Sequence, residues 1–383
     1  MVDPVATAPL EPTCLELSDA LAVLVDGSFH DRWDVAKVIP RWGTAAIEPL
    51  LDLLHEQDPE LSWFIARILG QLHHPAAADA LIGLLQSDDP EVSGSAAEAL
   101  GAMGDMAIAS LVPQLHQSET RALAVQSLAL IPHAAVVDPL LDVVTDADSD
   151  VRATAIAALS NHTDPRIPPV LAAALGDSAA KVRCEAVLGL GLVAARIHQG
   201  DFNQAVYTLD ELATMLHPYL WDINLEVCTQ TVLALGRVGT DRACASIYQL
   251  LTATTTPPDL QRYSFLALSW IPTPTALDYL QRALHNFVST PGLAQTIITS
   301  LGQIEHSNLV PAATNLLLTL LEPPVVDSLD PCCRQALALS LGYLEAREHH
   351  PLIIPALQQL SEDSDASVRL HAIAALKTIA ADA

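Results

Sequence analysis

The sequence predicts an all-α chain wound as an α-solenoid of about ten stacked helical hairpins. Three observations lead there: a composition rich in Ala and Leu, an apolar pair that recurs throughout the chain, and a helix-capping residue at a fixed distance before that pair. Aromatic residues are only 4% of 383 and hydrophobic residues are 51%. That balance suits closely packed helices better than sheets, which favour aromatic and β-branched side chains.

The recurring pair is an apolar anchor followed eight residues later by Leu. It appears as Leu61/Leu69, Val92/Leu100, Ala122/Leu130, Val151/Leu159, Val182/Leu190, Val227/Leu235, Leu260/Leu268, Leu293/Leu301, Cys333/Leu341 and Val368/Leu376. A period of about 30 residues accommodates two short helices per repeat. A capping residue lies three positions before the anchor in Asp58, Asp89, Asp148, Asn224, Thr290, Asp330 and Asp365. Its side-chain oxygen can accept from the unpaired N–H groups of a first helical turn. Pro59, Pro90, Pro291 and Pro331 follow directly, where a missing N–H costs nothing. The second helix of each hairpin therefore starts at this point. The first helices read as apolar runs such as AIEPLLDLL and LIIPALQQL, with Pro49, Pro139 and Pro355 near their starts.

At about 100° per residue, the anchor and positions +1, +4, +5 and +8 share one face of the second helix. Val151, Ala155, Ile156 and Leu159 fill that face in the fourth repeat, and Val182, Ala186, Val187 and Leu190 in the fifth. Glycine follows the +8 Leu at Gly70, Gly101, Gly191, Gly236, Gly302 and Gly342, which permits close helix approach or a C-terminal cap. Position +1 nevertheless carries Arg152, Arg183, Arg334 and Arg369. A buried arginine requires an acidic neighbour, so the pattern predicts a partial ladder in which these arginines meet the capping Asp of an adjacent repeat.

The domain plan is a flexible N-terminus at 1–13, capping helices at 14–45 and the solenoid at 46–383. An insertion near 197–224 lengthens one hairpin. It is either a protruding, partner-specific helix pair or a tolerated loop extension.

Eighteen basic against 45 acidic residues give a net charge of −27. This repels phosphate backbones and argues against direct nucleic-acid binding. The charge serves solubility, attraction of a basic partner, or both. No apolar run reaches the roughly 18 residues of a membrane span, and the N-terminus lacks a basic segment leading into an apolar run. A cytoplasmic protein without membrane insertion is the expectation. Six scattered cysteines include no C-x-x-C pair. Cys332 follows Asp330-Pro331 at a helix start, where the dipole could lower a thiol pKa. Cys184 and Cys228 are the other conceivable metal or cluster ligands, although a small buried hydrophobe is the simpler role for each cysteine.

Positions pointing away from the core would line the concave face, the usual ligand surface of a solenoid. They include Trp63, Phe64, Arg67, Glu98, Glu185, Gln230, Arg262, Tyr263, Trp270 and Gln295. Trp63 and Phe64 suit either an interface or packing beneath the N-terminal helices. Six helix layers at about 8–10 Å each would put Trp63 and Tyr263 some 50–60 Å apart. That distance suits an extended protein partner better than one compact ligand. No metalloprotease, phosphate-loop or nucleophile-elbow pattern occurs.

The windows DDPEVSGSAAEALGAMGD from Asp88, DSDVRATAIAALSNHTDPRI from Asp148 and DSDASVRLHAIAAL from Asp363 resemble the E-Z subtype of HEAT repeat. That subtype is typical of cyanobacterial phycobilisome-lyase-like HEAT proteins, and the resemblance spans most of residues 30–383. It implies a protein-binding role, since the family includes bilin lyases and isomerases, phycobilisome-degradation factors and a partner of an iron–sulphur carrier. It transfers no catalytic residue, because the matching positions are structural. The leading expectation is a non-catalytic adaptor holding another protein, without a cofactor. A bilin lyase or isomerase acting on a phycobiliprotein is the alternative, with a bilin or an iron–sulphur cluster as possible cofactor. The helix phase itself is testable: Leu159→Ala is expected to lower unfolding free energy by about 2–5 kcal/mol in chemical denaturation, and a near-neutral result would show the phase to be wrong.

Overall fold

The computed structural model describes residues 16–56, 58–201, 206–287, 290–323, 325–345 and 350–382. The expected flexible segment 1–13 and Cys14 lie outside them. All regular structure among the described residues is helical. The chain forms two compact units, Met1–Asp164 and Pro165–Ala383. In the first, helices Leu17–Asp26 and Phe29–Ala36 and the 3-10 segment Ile39–Ala46 precede four repeats, as expected of capping helices. The second unit holds six repeats.

Each anchor pair lies on or directly at the end of a second helix. The first unit has Pro59–Leu72, Pro90–Ala102, Arg121–Ala129 and Ser149–Leu159. The second has Ala180–Gln199, Leu225–Val238, Pro258–Trp270, Pro291–Gly302, Pro331–Glu345 and Ala366–Asp382. Within each unit, consecutive second helices pack on one another, so the fold is an α-solenoid. Capping follows the sequence reading. Side chains of Asp58, Asp89, Asp148, Asn224, Asp330 and Asp365 all accept from first-turn N–H groups, each bond contributing about 1 kcal/mol. Thr290 is the exception and makes no side-chain cap bond.

The predicted core faces of the fourth and fifth repeats are buried throughout. The third repeat differs from the expected phase. Ala122 is exposed and Leu130 is 53% exposed, whereas Thr120, Ala124, Val125 and Leu128 are buried. The true anchor is therefore Thr120, two residues earlier. A threonine can occupy a core anchor because its hydroxyl is bonded to the backbone and side-chain oxygens of Gln114, and its polarity hides it from an apolar search.

Small residues set the spacing of the stack. Glycine one position after the +8 Leu meets a small residue of the next second helix: Gly70 meets Ala99, Gly191 meets Ala234, Gly236 meets Ala267 and Gly342 meets Ala375. A methyl group on Gly302 would lie 2.8 Å from Ser340 Cα, so an alanine there would force the two backbones apart. Ser340 adds a hydrogen bond of 3.1 Å to the Ile298 carbonyl across this contact.

The arginine ladder is present, with a different acidic partner from the one expected. Arg183 makes a bidentate pair with Asp222 at 2.8 and 2.7 Å, and Arg334 does so with Asp363 at 2.7 and 3.0 Å. Corrected phasing adds Arg121, whose Nη1 lies 2.9 Å from Asp146. These aspartates stand two residues before the caps Asp148, Asn224 and Asp365 and accept the caps' N–H groups. A capping carboxylate is already turned into its own helix, so the arginine meets the loop aspartate instead. The same arginines also donate to carbonyls of their own loops, as Arg183 does to Asp177 and Ser178. In the sixth repeat Cys228 occupies this position, and its thiol donates to the Asp222 carbonyl.

The 197–224 region does not form a protruding helix pair. Leu209–Leu216 is the ordinary first helix of the sixth repeat, with Leu212, Ala213 and Leu216 buried. The extra length goes into the preceding second helix, which runs 20 residues to Gln199 and ends at the left-handed Gly200.

Pairing with arginine holds the Asp222 and Asp363 carboxyls below their ordinary value of 3.8. Depressed carboxyls contribute stability that is complete above the unfolded value and is lost as pH falls through the folded one. Melts between about pH 7 and pH 3 are therefore expected to show a steep acid decline in the native protein. The Asp222→Asn/Asp363→Asn variant is expected to begin about 3 kcal/mol lower and to decline less. Parallel curves would contradict the ladder's role.

Candidate functional site

The second unit carries a groove of about 810 Å³ along the exposed faces of three successive second helices, those of repeats six, seven and eight. Register explains its lining. Arg262 and Tyr263 stand at positions +2 and +3 of their helix, and Gln295 at +2 of the next, so the faces opposite the core adjoin. Tyr263 is 42% exposed. Arg262 is exposed, pairs with Asp259 at 3.0 Å and reaches toward Gly292 at the start of the next helix. Glycine leaves room for the guanidinium there.

Apolar and polar surfaces alternate along the groove. Leu225, 51% exposed, and Leu266 contribute carbon surface. Thr229, Thr296 and Thr299 donate to carbonyls of their own helices, leaving their oxygen lone pairs as acceptors. Gln295 and Gln303 bring amides that can both donate and accept. Just before Leu225, Ile223 is 99% exposed and Trp221 is 45% exposed. Such a row of uncovered large apolar side chains beside a polar groove characterises interaction surfaces.

Residues 47–120 and 108–191 match the family description HEAT repeats, and residues 353–383 match HEAT repeat. These segments are HEAT repeats. Yeast importin-beta has a similar structure at 12% identity and a TM-score of 0.51, over 95% of this chain and 61% of that one. At this identity the likeness concerns the HEAT fold alone. An engineered protein aligns at 21% identity over 87% of this chain and 98% of its own, with a TM-score of 0.41. The complex of CpcE and CpcF of phycocyanin lyase from Nostoc sp. aligns at 17% identity over 64% of this chain and 94% of its own, with a TM-score of 0.36. No curated protein matches the sequence.

The other sequence-predicted positions fall elsewhere in the HEAT units. Phe64 is fully buried, contrary to the exposed position expected. It and Trp63 belong to an aromatic cluster with Phe29 and Trp33 of the preceding helices, Trp33 and Trp63 being stacked 6.0 Å apart. The Arg67 guanidinium lies 5.2 Å from the Trp33 ring and 4.9 Å from Trp63. This cluster fastens the N-terminal helices to the first HEAT repeat. Glu98 is exposed on the second helix of repeat two. Glu185 is half-buried, and burial raises its carboxyl. Gln230 is turned into a 2.6 Å bond with Glu226. Trp270 lines a separate cavity, so the expected grouping of Arg262, Tyr263 and Trp270 divides in two.

The cysteines are held as thiols. Burial is the leading cause at each, pushing Cys184 up to about 11 and Cys333 up to about 12. Nearby carboxylates of Glu226, Glu185 and Asp222 add to the effect at Cys184. Cys332, expected to be lowered by its helix start, is raised by burial and by the Asp330 carboxylate. Among the described residues no group of three or more His, Cys, Asp or Glu side chains is placed to hold a metal ion.

Ile223, Leu225 and Leu266 escaped the sequence reading because apolar positions were assigned to the core by default. A second apolar stripe beside Arg262 and Tyr263 was the available signal. The thiol chemistry gives a direct check. Peptide-resolved iodoacetamide labelling of the native protein at about pH 8 is expected to modify Cys184, Cys228, Cys244, Cys332 and Cys333 at least about tenfold more slowly than a free thiol. Rapid labelling of Cys332 would contradict the arrangement at its helix start.

Proposed function

We propose that this protein is a protein-binding scaffold, with the groove over repeats six to eight receiving an extended segment of its partner. One observation carries the reading: Arg262, Tyr263 and Gln295 converge in a groove whose approach is lined by the uncovered side chains of Leu225 and Ile223. Tyrosine and arginine are the side chains that most often supply binding energy at interfaces. The threonine and glutamine lining complements the backbone N–H and C=O groups of an extended chain, which cannot satisfy each other. Helical repeats present long surfaces of this kind.

The carboxylates of Glu226 and Asp259 flank the groove and, with the net charge of −27, favour a partner segment carrying basic side chains. Rim charges act mainly on association rate and its salt dependence, whereas the central tyrosine and leucines supply the burial.

Affinity capture from native lysate, read by mass spectrometry, would first identify the specific partner. The Arg262→Glu/Tyr263→Ala variant is then expected to bind that partner at least about tenfold more weakly, which corresponds to 1.4 kcal/mol. An Arg282→Glu variant, placed on the first helix of its repeat and outside the groove, is expected to bind as the native protein does. Equal loss in both variants, or loss only with Arg282→Glu, would overturn the assignment of this groove.

A further inference from the structure

A second cavity, of about 510 Å³, lies at the C-terminal ends of the second helices of repeats five, six and seven. Its walls include His198, Arg237, Trp270, Pro272 and His306. No carboxylate lines it, in a chain with 45 acidic residues against 18 basic ones. We infer that this cavity is a binding site for an aromatic carboxylate.

Arg237 is the first ground. Other arginines of this unit are committed: Arg183 to Asp222, Arg262 to Asp259, Arg282 to Asp278 and Arg334 to Asp363. Arg237 meets no acidic side chain among the described residues and lines the cavity instead, with Nη1 directed toward Gly191 of the neighbouring helix. Its planar fork of N–H donors matches the two oxygens of a carboxylate.

Trp270 is the second ground. One edge of its indole rests on Gly236, with Cε3 only 3.0 Å from where a β-carbon would stand. The ring is 38% exposed and can stack on a planar ligand.

The third ground concerns charge at the helix ends. C-terminal carbonyls ordinarily repel an anion. Here His198 Nε2 lies 3.1 Å from the Val238 carbonyl and His306 Nε2 lies 2.9 Å from the Trp270 carbonyl. A carbonyl only accepts, so both imidazoles carry the Nε2 proton and donate it. Two of the groups that would oppose an anion are thereby occupied. The cavity volume falls within the roughly 300–1,000 Å³ range of small-molecule sites.

Benzoate is the probe, titrated into the full chain by calorimetry and by tryptophan fluorescence, beside neutral benzamide and inorganic phosphate. Benzoate is expected to bind saturably, with benzamide at least about tenfold weaker and phosphate weaker than benzoate. Arg237→Gln is expected to abolish the preference for benzoate over benzamide. Arg237→Lys, which keeps the charge and removes the fork, is expected to bind benzoate more weakly than the native protein. Trp270→Leu is expected to lose the fluorescence response and weaken binding, while Arg262→Glu in the other groove leaves it unchanged. Equal binding of benzoate and benzamide, phosphate binding tighter than benzoate, native affinity in Arg237→Gln, or no saturable benzoate binding would each overturn the assignment. Melting curves of both Arg237 variants accompany the titrations; if Arg237→Gln does not fold, the benzoate–benzamide comparison in the native protein and the Arg237→Lys titration decide.

Discussion

Close approach of successive second helices is the constraint on which the other features rest. Where glycine faces alanine or serine, no β-carbon stands on one side of the contact, and the axes can come nearer than leucine packing would permit. Short spacing brings the exposed face of one helix within side-chain reach of the next. Arg262 can therefore reach toward Gly292, and Arg237 toward Gly191. The seventh repeat has Ser269 where its neighbours have glycine, and a serine cannot approach as closely. The groove runs along this same stretch of the stack.

Two kinds of surface result from one repeat. Side chains pointing away from the core form the long groove with its mixed apolar and amide lining. Residues just beyond the +8 leucine gather instead at the helix ends, where Trp270 and Arg237 meet two imidazoles. The first surface suits a chain, whose many weak contacts are spread along its length, and the second suits a compact group with one charge. Their separation explains why residues only seven apart, Tyr263 and Trp270, face different surroundings.

Much of the fold was legible in the sequence, because burial and capping impose strict local periodicities. The anchor pairs, the six working caps and the core faces of repeats four and five followed from spacing alone. The third repeat did not, because Thr120 satisfies its hydroxyl through Gln114 and sits where an apolar residue was sought. The arginine ladder was readable as a need for an acid, but its partner depended on loop geometry that places Asp146, Asp222 and Asp363 at the guanidinium. Of the candidate site, Arg262, Tyr263 and Gln295 were accessible from helix phase. The cavity around Arg237 was not, since it depends on which carboxylates are absent from its walls and on histidines contributed from outside the helix that carries it.

The ladder also bears on how the molecule comes apart. Each Arg–Asp tie spans a single junction, so it transmits no strain beyond the neighbouring hairpin, and opening is expected to proceed joint by joint. The two bidentate ties lie at the fifth–sixth and ninth–tenth junctions, which makes those joints the ones that acid loosens. A solenoid with acid-sensitive joints between otherwise apolar contacts has set break points, and a partner lying across the sixth to eighth repeats would be held by a block whose own internal contacts depend on carbon packing and change little with pH.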